Sequence, residues 1–304
     1  MRIAVTGATG TLGSQVVDLL ASTGHRAEGH GADGGPEHGP HEVLALARRP
    51  DAVLAALSPA ARASGVVLAV YADYDDAGSL RAALRGVDVL VFVSSDGEAA
   101  RMLVQHENVV RAASACGVGH VVYLSGVDAD VASPFCYAFT NGRTEALLAE
   151  SGCGVTFARA SLFTQFFAGF LRPALVSGEL RVPAGSGRVA LVSRADVGRC
   201  LAALALLPPS GRYRDLTGPE SFTFEALAGV LTGIAGIPVS YTDVPARVHV
   251  EELARSGEDP WWTYAYSTMF ASVRAGRWGT VSGEVLRLTG RAPSSVADVL
   301  RPAA

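Results

Sequence analysis

Arg2-Ile3-Ala4-Val5-Thr6-Gly7-Ala8-Thr9-Gly10-Thr11-Leu12-Gly13-Ser14-Gln15-Val16-Val17-Asp18-Leu19-Leu20 is the stretch that decides the fold. Ile3, Ala4 and Val5 form a short apolar run, and Leu12, Val16, Val17, Leu19 and Leu20 recur at helical spacing, so three glycines sit where a strand hands over to a helix. Gly7 permits a tight turn, Gly10 lets backbone approach a diphosphate, and Gly13 lets the helix lie close to the strand. The N–H groups of the first helical turn, with Thr9, Thr11 and Leu12 around them, then face an anion. Glycines at this spacing also suit a loop that merely needs positive φ. Their place at a strand-to-helix junction favours a dinucleotide.

With 304 residues, the chain can fold as one large α/β domain or as a nucleotide domain with a smaller companion. Apolar residues make up 49% of it, and the net charge of −4 comes without any basic cluster, which speaks against nucleic acid or an anionic membrane as partner. No apolar run approaches the length of a membrane span, and no charged-then-apolar leader precedes the first strand, so the expected location is cytoplasmic. Cys116, Cys136, Cys153 and Cys200 lie far apart without a C-x-x-C pair and read as reduced, mostly buried thiols. The sequence contains arginine but no lysine. Schiff-base chemistry, a Walker A lysine and a lysine general base are thereby excluded.

After the first helix, residues 25–41 are rich in glycine, proline and histidine and read as a mobile surface insertion. The histidines there have no fixed spacing on a helix or strand, so no metal site is expected. Residues 43–47 form the second strand, followed at once by Arg48 and Arg49. A dinucleotide fold specific for NAD ends this strand in Asp or Glu; two guanidiniums in that place suit the 2′-phosphate of NADP, although a plain charged strand end has the same look. A helical stretch over 52–63 leads to a third strand and then to Asp73-Tyr74-Asp75-Asp76. Asp73 and Tyr74 could flank adenine, while Asp75 and Asp76 could simply open the next helix. The strand over 87–95 ends in Val93-Ser94-Ser95, expected beneath the nicotinamide ribose. Strands at 120–124 and 155–158, with a helix from about 137 to 150 between them, complete a doubly wound parallel sheet. The expected division is a dinucleotide-binding Rossmann domain over 1–158 and a smaller α/β substrate domain over 159–304, partly interleaved with the sheet and roofing its carboxyl edge.

Several motifs carry a family resemblance: residues 6–13, Ala47-Arg48-Arg49-Pro50, residues 72–76, Val122-Tyr123-Leu124-Ser125-Gly126, residues 144–148, residues 156–163, and the late Leu288-Thr289-Gly290-Arg291-Ala292-Pro293. On these the chain resembles the NmrA-like group of atypical short-chain dehydrogenases/reductases, close to the type 2 NAD(P)H:quinone oxidoreductase branch. The resemblance covers nearly the whole length. It implies a Rossmann domain holding NADP(H), with Ser161 and Phe163 after the sixth strand at the cofactor, and a small C-terminal substrate domain. Members include quinone reductases, other reductases of aromatic or polyketide-like compounds, and cofactor-binding regulators without turnover.

In the wider superfamily the acid is a tyrosine four residues before a lysine, with a serine from the preceding strand. Four residues apart on a helix share a face, so both side chains reach the nicotinamide ribose. Tyr137 and Ser125 stand at those places, but Asn141 holds the lysine position. Two readings follow. In one, Tyr137 stays protonated and donates to a carbonyl or quinone while Asn141 and Ser125 orient the acceptor or a water. In the other, Tyr137 is a packed helix-start aromatic and Ser125 and Asn141 are ordinary polar termini. Quinone reduction weakens the need for any acid, because hydride transfer to it leaves a stable hydroquinone anion. Phe163, Phe166 and Phe167, with Trp261, Trp262 and Phe270 as a lid, are candidate contacts for a flat acceptor, or else core. Three function classes remain: an NADPH-dependent reductase of a quinone or an aromatic carbonyl compound, an NADP-binding regulator without turnover, and a cofactor-bound non-redox enzyme. A homodimer is left open.

Overall fold

β1 (Arg2–Val5) leads into α1 (Thr11–Gly24), β2 (Glu42–Ala47) into α2 (Pro50–Ala56) and α3 (Pro59–Ala63), and β3 (Val67–Tyr71) into α4 (Ala77–Ala83). β4 (Val89–Phe92) is followed by α5 (Ala99–Ala115), β5 (His120–Gly126) by α6 (Cys136–Ala149), and then comes β6 (Gly154–Ala160). The computed structural model describes residues 1–24 and 41–301. Of the expected surface insertion, residues 25–40 lie outside the described residues. His41, counted with that insertion, instead belongs to the core: it is buried just before β2 and its Nε2 donates to the Leu20 carbonyl at 2.9 Å.

The second half runs α7 (Thr164–Ser177), β7 (Glu179–Val182), β8 (Arg188–Val189), α8 (Arg194–Ala205), β9 (Tyr213–Leu216), β10 (Phe222–Thr223), α9 (Phe224–Ala235), β11 (Ser240–Asp243), α10 (Ala246–Arg255), α11 (Pro260–Arg274), α12 (Glu284–Thr289) and α13 (Val296–Leu300). The main sheet has the order β3-β2-β1-β4-β5-β6-β9, with every neighbouring pair parallel. β6 continues past residue 158, and β9 comes from the second half, so that half supplies an edge of the sheet. The small pairs β8/β10 and β7/β11 lie outside it.

Period-two alternation builds both faces. Ile3, Val5, Val43, Val91, Val122 and Ala158 meet Val16, Val17 and Leu20 of α1 on one side, while Ala4, Leu44, Leu90, Phe92, Val121 and Tyr123 meet Leu80, Val109 and Ala113 on the other. Each fully buried Leu, Val or Phe here contributes about 1.5–3 kcal/mol. A third apolar cluster, around Phe167, Leu171, Phe224, Phe270 and Val273, is the core of the second half.

The helix expected over 52–63 is two helices. Pro59 forces the preceding residue out of the helical region, Ser58 takes φ −61 and ψ 154, and its hydroxyl then caps α3 at Ala61 N. All four cysteines are free; Cys136 and Cys200 are buried, Cys116 and Cys153 only partly.

One buried carboxylate ties the β5–α6 connection to α11 and the residues just after it. Asp128, in the β5–α6 connection and buried, accepts from Ser133 Oγ at 2.5 Å, from the Ser272 hydroxyl of α11, and from Arg277 Nη1 at 2.9 Å. Trp278 Nε1 completes the network by donating to Ser272 Oγ at 2.7 Å. A buried anion needs such donors, since leaving it unpaired costs several kcal/mol.

Candidate functional site

The order of the sheet reverses between β1 and β4, and a doubly wound fold opens its ligand crevice there. The loop after β1 occupies this place: Thr6 N donates to Val91 O at 3.1 Å and Ala8 N to Leu46 O at 3.2 Å. Gly7 has φ +65. A Cβ on Gly13 would come within 2.2 Å of Gly7 O, and one on Gly10 within 3.2 Å of the same atom. Only glycine lets α1 start this close to the strand. Gly7, Thr9, Gly10 and Thr11 are exposed, whereas Leu12 packs inward against α8. The loop therefore presents backbone and hydroxyl groups at a helix N-terminus that has no acidic residue in its first turn.

At the end of β2, Arg48 and Arg49 are exposed, and neither forms an ion pair among the described residues. The acidic cluster after β3 is engaged elsewhere. Asp75 accepts from Arg101 Nη2 at 2.6 Å and Gln105 Nε2 at 3.0 Å, contacts that hold its carboxyl below the usual range, and Asp73 Oδ1 accepts from Asp75 N at 3.0 Å. Tyr74 donates its phenolic proton to Val93 O at 2.6 Å, with its ring edge-on to Phe92. That phenol pins the end of β4, and burial raises its pKa.

The segment Val93-Ser94-Ser95 is fixed from three sides. Thr6 Oγ1 accepts from Val93 N at 2.9 Å, Ser94 Oγ donates to Leu124 O at 2.6 Å, and Ser95 N donates to His106 Nε2 at 3.1 Å. Accepting at Nε2 leaves His106 with its proton on Nδ1, 2.8 Å from Thr144 Oγ1, and burial lowers its pKa to about 4. Sequence reading missed His106, because a lone histidine inside an amphipathic helix gives no spacing signal. Ser95 Oγ and Ser161 Oγ are buried hydroxyls without a protein partner among the described residues. They sit at the carboxyl ends of β4 and β6, where a dinucleotide's sugar and amide groups would satisfy them.

The three expected catalytic residues are not equivalent. Ser125 is buried, and its hydroxyl donates to Glu145 Oε1 at 2.6 Å, beneath the ion pair that Glu145 makes with Arg159 Nη2 at 2.6 Å. An orienting role for Ser125 toward an acceptor is thereby corrected, since that hydroxyl is committed to a buried carboxylate. Tyr137, half-buried at the start of α6, donates to Asp96 Oδ1 at 2.6 Å and accepts from Gly97 N at 3.3 Å. Burial first, then the Asp96 hydrogen bond and charge, push its pKa up, so the phenol keeps its proton. Asn141 Oδ1 accepts from Tyr123 OH at 2.9 Å. Asp96, like His106, carried no motif in the sequence.

Aromatic side chains surround Tyr137. Trp262 stacks on it with centroids 6.5 Å apart, Trp261 meets it edge-on at 6.4 Å, and Phe135 lies at 5.5 Å. Trp262 continues to Tyr266 at 5.6 Å and Tyr266 to Phe166 at 5.7 Å. Phe163, Phe166, Trp261 and Trp262 are all partly exposed. Phe167 and Phe270 are 0% exposed, and their expected place at a substrate is corrected: they form the core of the second half because their rings close on each other at 6.0 Å and on Phe224. Among the described residues no helix is long and apolar enough to cross a membrane.

The sequence model of the NmrA-like family matches residues 1–260. The chain belongs to the NmrA-like family. This NmrA-like chain is 32% identical over 243 residues to quinone oxidoreductase 2 of Escherichia coli, covering 80% of the chain and 77% of that protein. It is 30% identical over 293 residues to a (4-alkanoyl-5-oxo-2,5-dihydrofuran-3-yl)methyl phosphate reductase of Streptomyces griseus, covering 95% and 93%. The crystal structure of an NADPH-dependent quinone oxidoreductase from Escherichia coli, complexed with NADPH, superposes with a TM-score of 0.84 at 28% identity and 98% coverage of each chain. The Rossmann-like parallel sheet of this NmrA-like protein is thus shared along the full length of a solved relative.

Proposed function

We propose that this protein is an NADPH-dependent oxidoreductase that delivers hydride to a small, flat, electron-poor acceptor, a quinone or an aromatic or polyketide-like carbonyl compound. The observation that carries the reading is the pairing of a glycine cradle at the switch point with two exposed guanidiniums, Arg48 and Arg49, that form no salt bridge among the described residues. Bidentate contact from such a group fits the 2′-phosphate of NADP. The relatives named as quinone and butenolide-type reductases support the reaction class.

When bound, NADPH supplies the hydride. The glycine loop and the α1 N-terminus would hold its diphosphate, the Val93–Ser95 segment would lie under the nicotinamide ribose, and Ser161 would meet the nicotinamide end. Tyr137, Trp261, Trp262 and Phe166 would form a half-open aromatic wall against which a planar acceptor stacks and from which water is excluded. Tyr137 stays protonated but faces Asp96. Rate enhancement then rests on proximity and orientation, and a quinone, whose reduced anion needs no immediate proton, suits such a site better than a simple ketone.

Following the loss of reduced-nicotinamide absorbance with a panel of quinones and ketones tests this. Turnover with NADPH and a quinone supports it. A second reading, a dinucleotide-binding regulator or non-redox enzyme, is favoured by the capture of the Tyr137 proton by Asp96. No turnover with any acceptor, together with a rise in melting temperature on adding NADP, would select that reading instead.

A further inference from the structure

Asn141 stands one turn beyond Tyr137 on α6, at the place where the superfamily carries lysine, and its side-chain amide is held from one side only. Oδ1 accepts the phenolic proton of Tyr123 at 2.9 Å. Tyr123 is wholly buried on β5, walled by Phe92 at 5.1 Å and His106 at 6.0 Å, so its hydroxyl has a fixed position. Ser94 Oγ, bonded to Leu124 O, lies 3.2 Å from the same phenolic oxygen. With its oxygen turned to Tyr123, the amide has its nitrogen turned toward the end of β5, where a Cβ on Gly126 would come within 3.2 Å of Nδ2. No protein acceptor among the described residues takes the Nδ2 protons, and Asn141 is only half-buried. A row of side chains, Ser94, Tyr123 and Asn141, therefore ends in unused N–H donors at the carboxyl edge of the sheet.

We propose that Tyr123 is a positioning residue for Asn141, orienting its amide so that the N–H groups donate to the ribose hydroxyls on the nicotinamide side of a bound dinucleotide. The inference rests on the NADPH reading above. A lysine in this position would add a positive charge and lower the pKa of Tyr137; a neutral amide supplies donors without doing so, in keeping with a phenol that keeps its proton. Glycine at 126 leaves the nitrogen room.

The test is a double-mutant cycle read by NADPH binding, followed through nicotinamide fluorescence, with adenosine 2′,5′-diphosphate as a probe that lacks the nicotinamide ribose. Asn141→Ala is expected to weaken NADPH about tenfold and Tyr123→Phe about fivefold, the scale of one or two neutral hydrogen bonds. The double variant should be no weaker than Asn141→Ala alone, because Tyr123 acts through that amide. Gly126→Ala reads the same group from the other side, should Tyr123→Phe fail to fold: it too should weaken NADPH only while Asn141 is present. Adenosine 2′,5′-diphosphate should bind every variant alike. Equal losses from Tyr123→Phe with and without Asn141, or parallel losses for the adenine-side probe, overturn the inference while leaving the NADPH reading intact. A wild-type protein that binds no NADPH overturns both.

Discussion

The phenolic proton of Tyr137 is held by Asp96, 2.6 Å away, and this one bond ties the start of α6 to the loop that follows β4. A general acid aimed at substrate would have its proton free, and general acids contribute about 10²-fold or more. Tyr137→Phe is therefore expected to leave the reduction of quinones and of any ketone alike within about threefold. A loss of about 10²-fold or more for either acceptor class in steady-state assays would contradict this.

Arg48 offers a guanidinium without an ion-pair partner among the described residues. A charge-assisted hydrogen bond to phosphate is worth about 1.5–3 kcal/mol, so Arg48→Ala should weaken NADPH by about tenfold or more and NADH hardly at all. Fluorescence titration with the two reduced cofactors decides it; parallel losses would remove the 2′-phosphate from this position.

Gly13→Ala would place a methyl group 2.2 Å from Gly7 O, a contact with backbone rather than with a flexible side chain. Either α1 moves away from β1 or the cradle opens, at a cost of about 1–3 kcal/mol. Urea denaturation should show that loss, and added NADP should no longer raise the melting temperature. An unaltered midpoint would mean that the loop rearranges freely.

Glu145→Gln removes the charge that faces Arg159 and accepts from Ser125. Breaking a largely buried pair on one side costs about 3 kcal/mol or more. Chemical denaturation should register it, and restoring the wild-type midpoint with Arg159→Met in the same chain would show that the loss comes from the stranded guanidinium.

Two buried imidazoles give the protein an acid-side slope. His106 and His120 each titrate near pH 4 when folded, because burial disfavours the charged ring, against 6.5 in the open chain. Between those values the unfolded chain binds more protons, so stability is full above about pH 6.5 and is lost as pH falls toward 4, by up to about 3 kcal/mol per histidine. Denaturation midpoints across pH 4.5–7 measure it, and His106→Gln should make the slope shallower without abolishing it, since His120 and His249 are also shifted down by burial. A flat wild-type profile would rule the arrangement out.

Periodicity made the sheet legible. Ile3 and Val5 against Ala4, or Val89 and Val91 against Leu90 and Phe92, fall on opposite faces as alternation requires, and the glycine spacing located the crevice. The interruption at Ser58 was readable too, since Pro59 stood there. Partners of polar side chains were not. Ser125 and Asn141 are both polar, close in sequence and plausible at a reaction centre, but only the folded chain shows one hydroxyl facing Glu145 and one amide facing Tyr123. Aromatic spacing likewise failed to separate the partly exposed Phe166 from the buried Phe167, because adjacent helical residues differ only in which side the second half covers.

The carboxylate of Asp128 is met by Ser272 and Arg277, residues made long after it. On a ribosome, the connection between the fifth strand and the sixth helix must wait, with an anion lacking its neutralising arginine, until residues 272–277 have emerged. The sheet is consequently expected not to fold as an autonomous early unit. A chain cut short before Arg277 should be captured by chaperones or proteases rather than accumulate as a smaller nucleotide-binding protein.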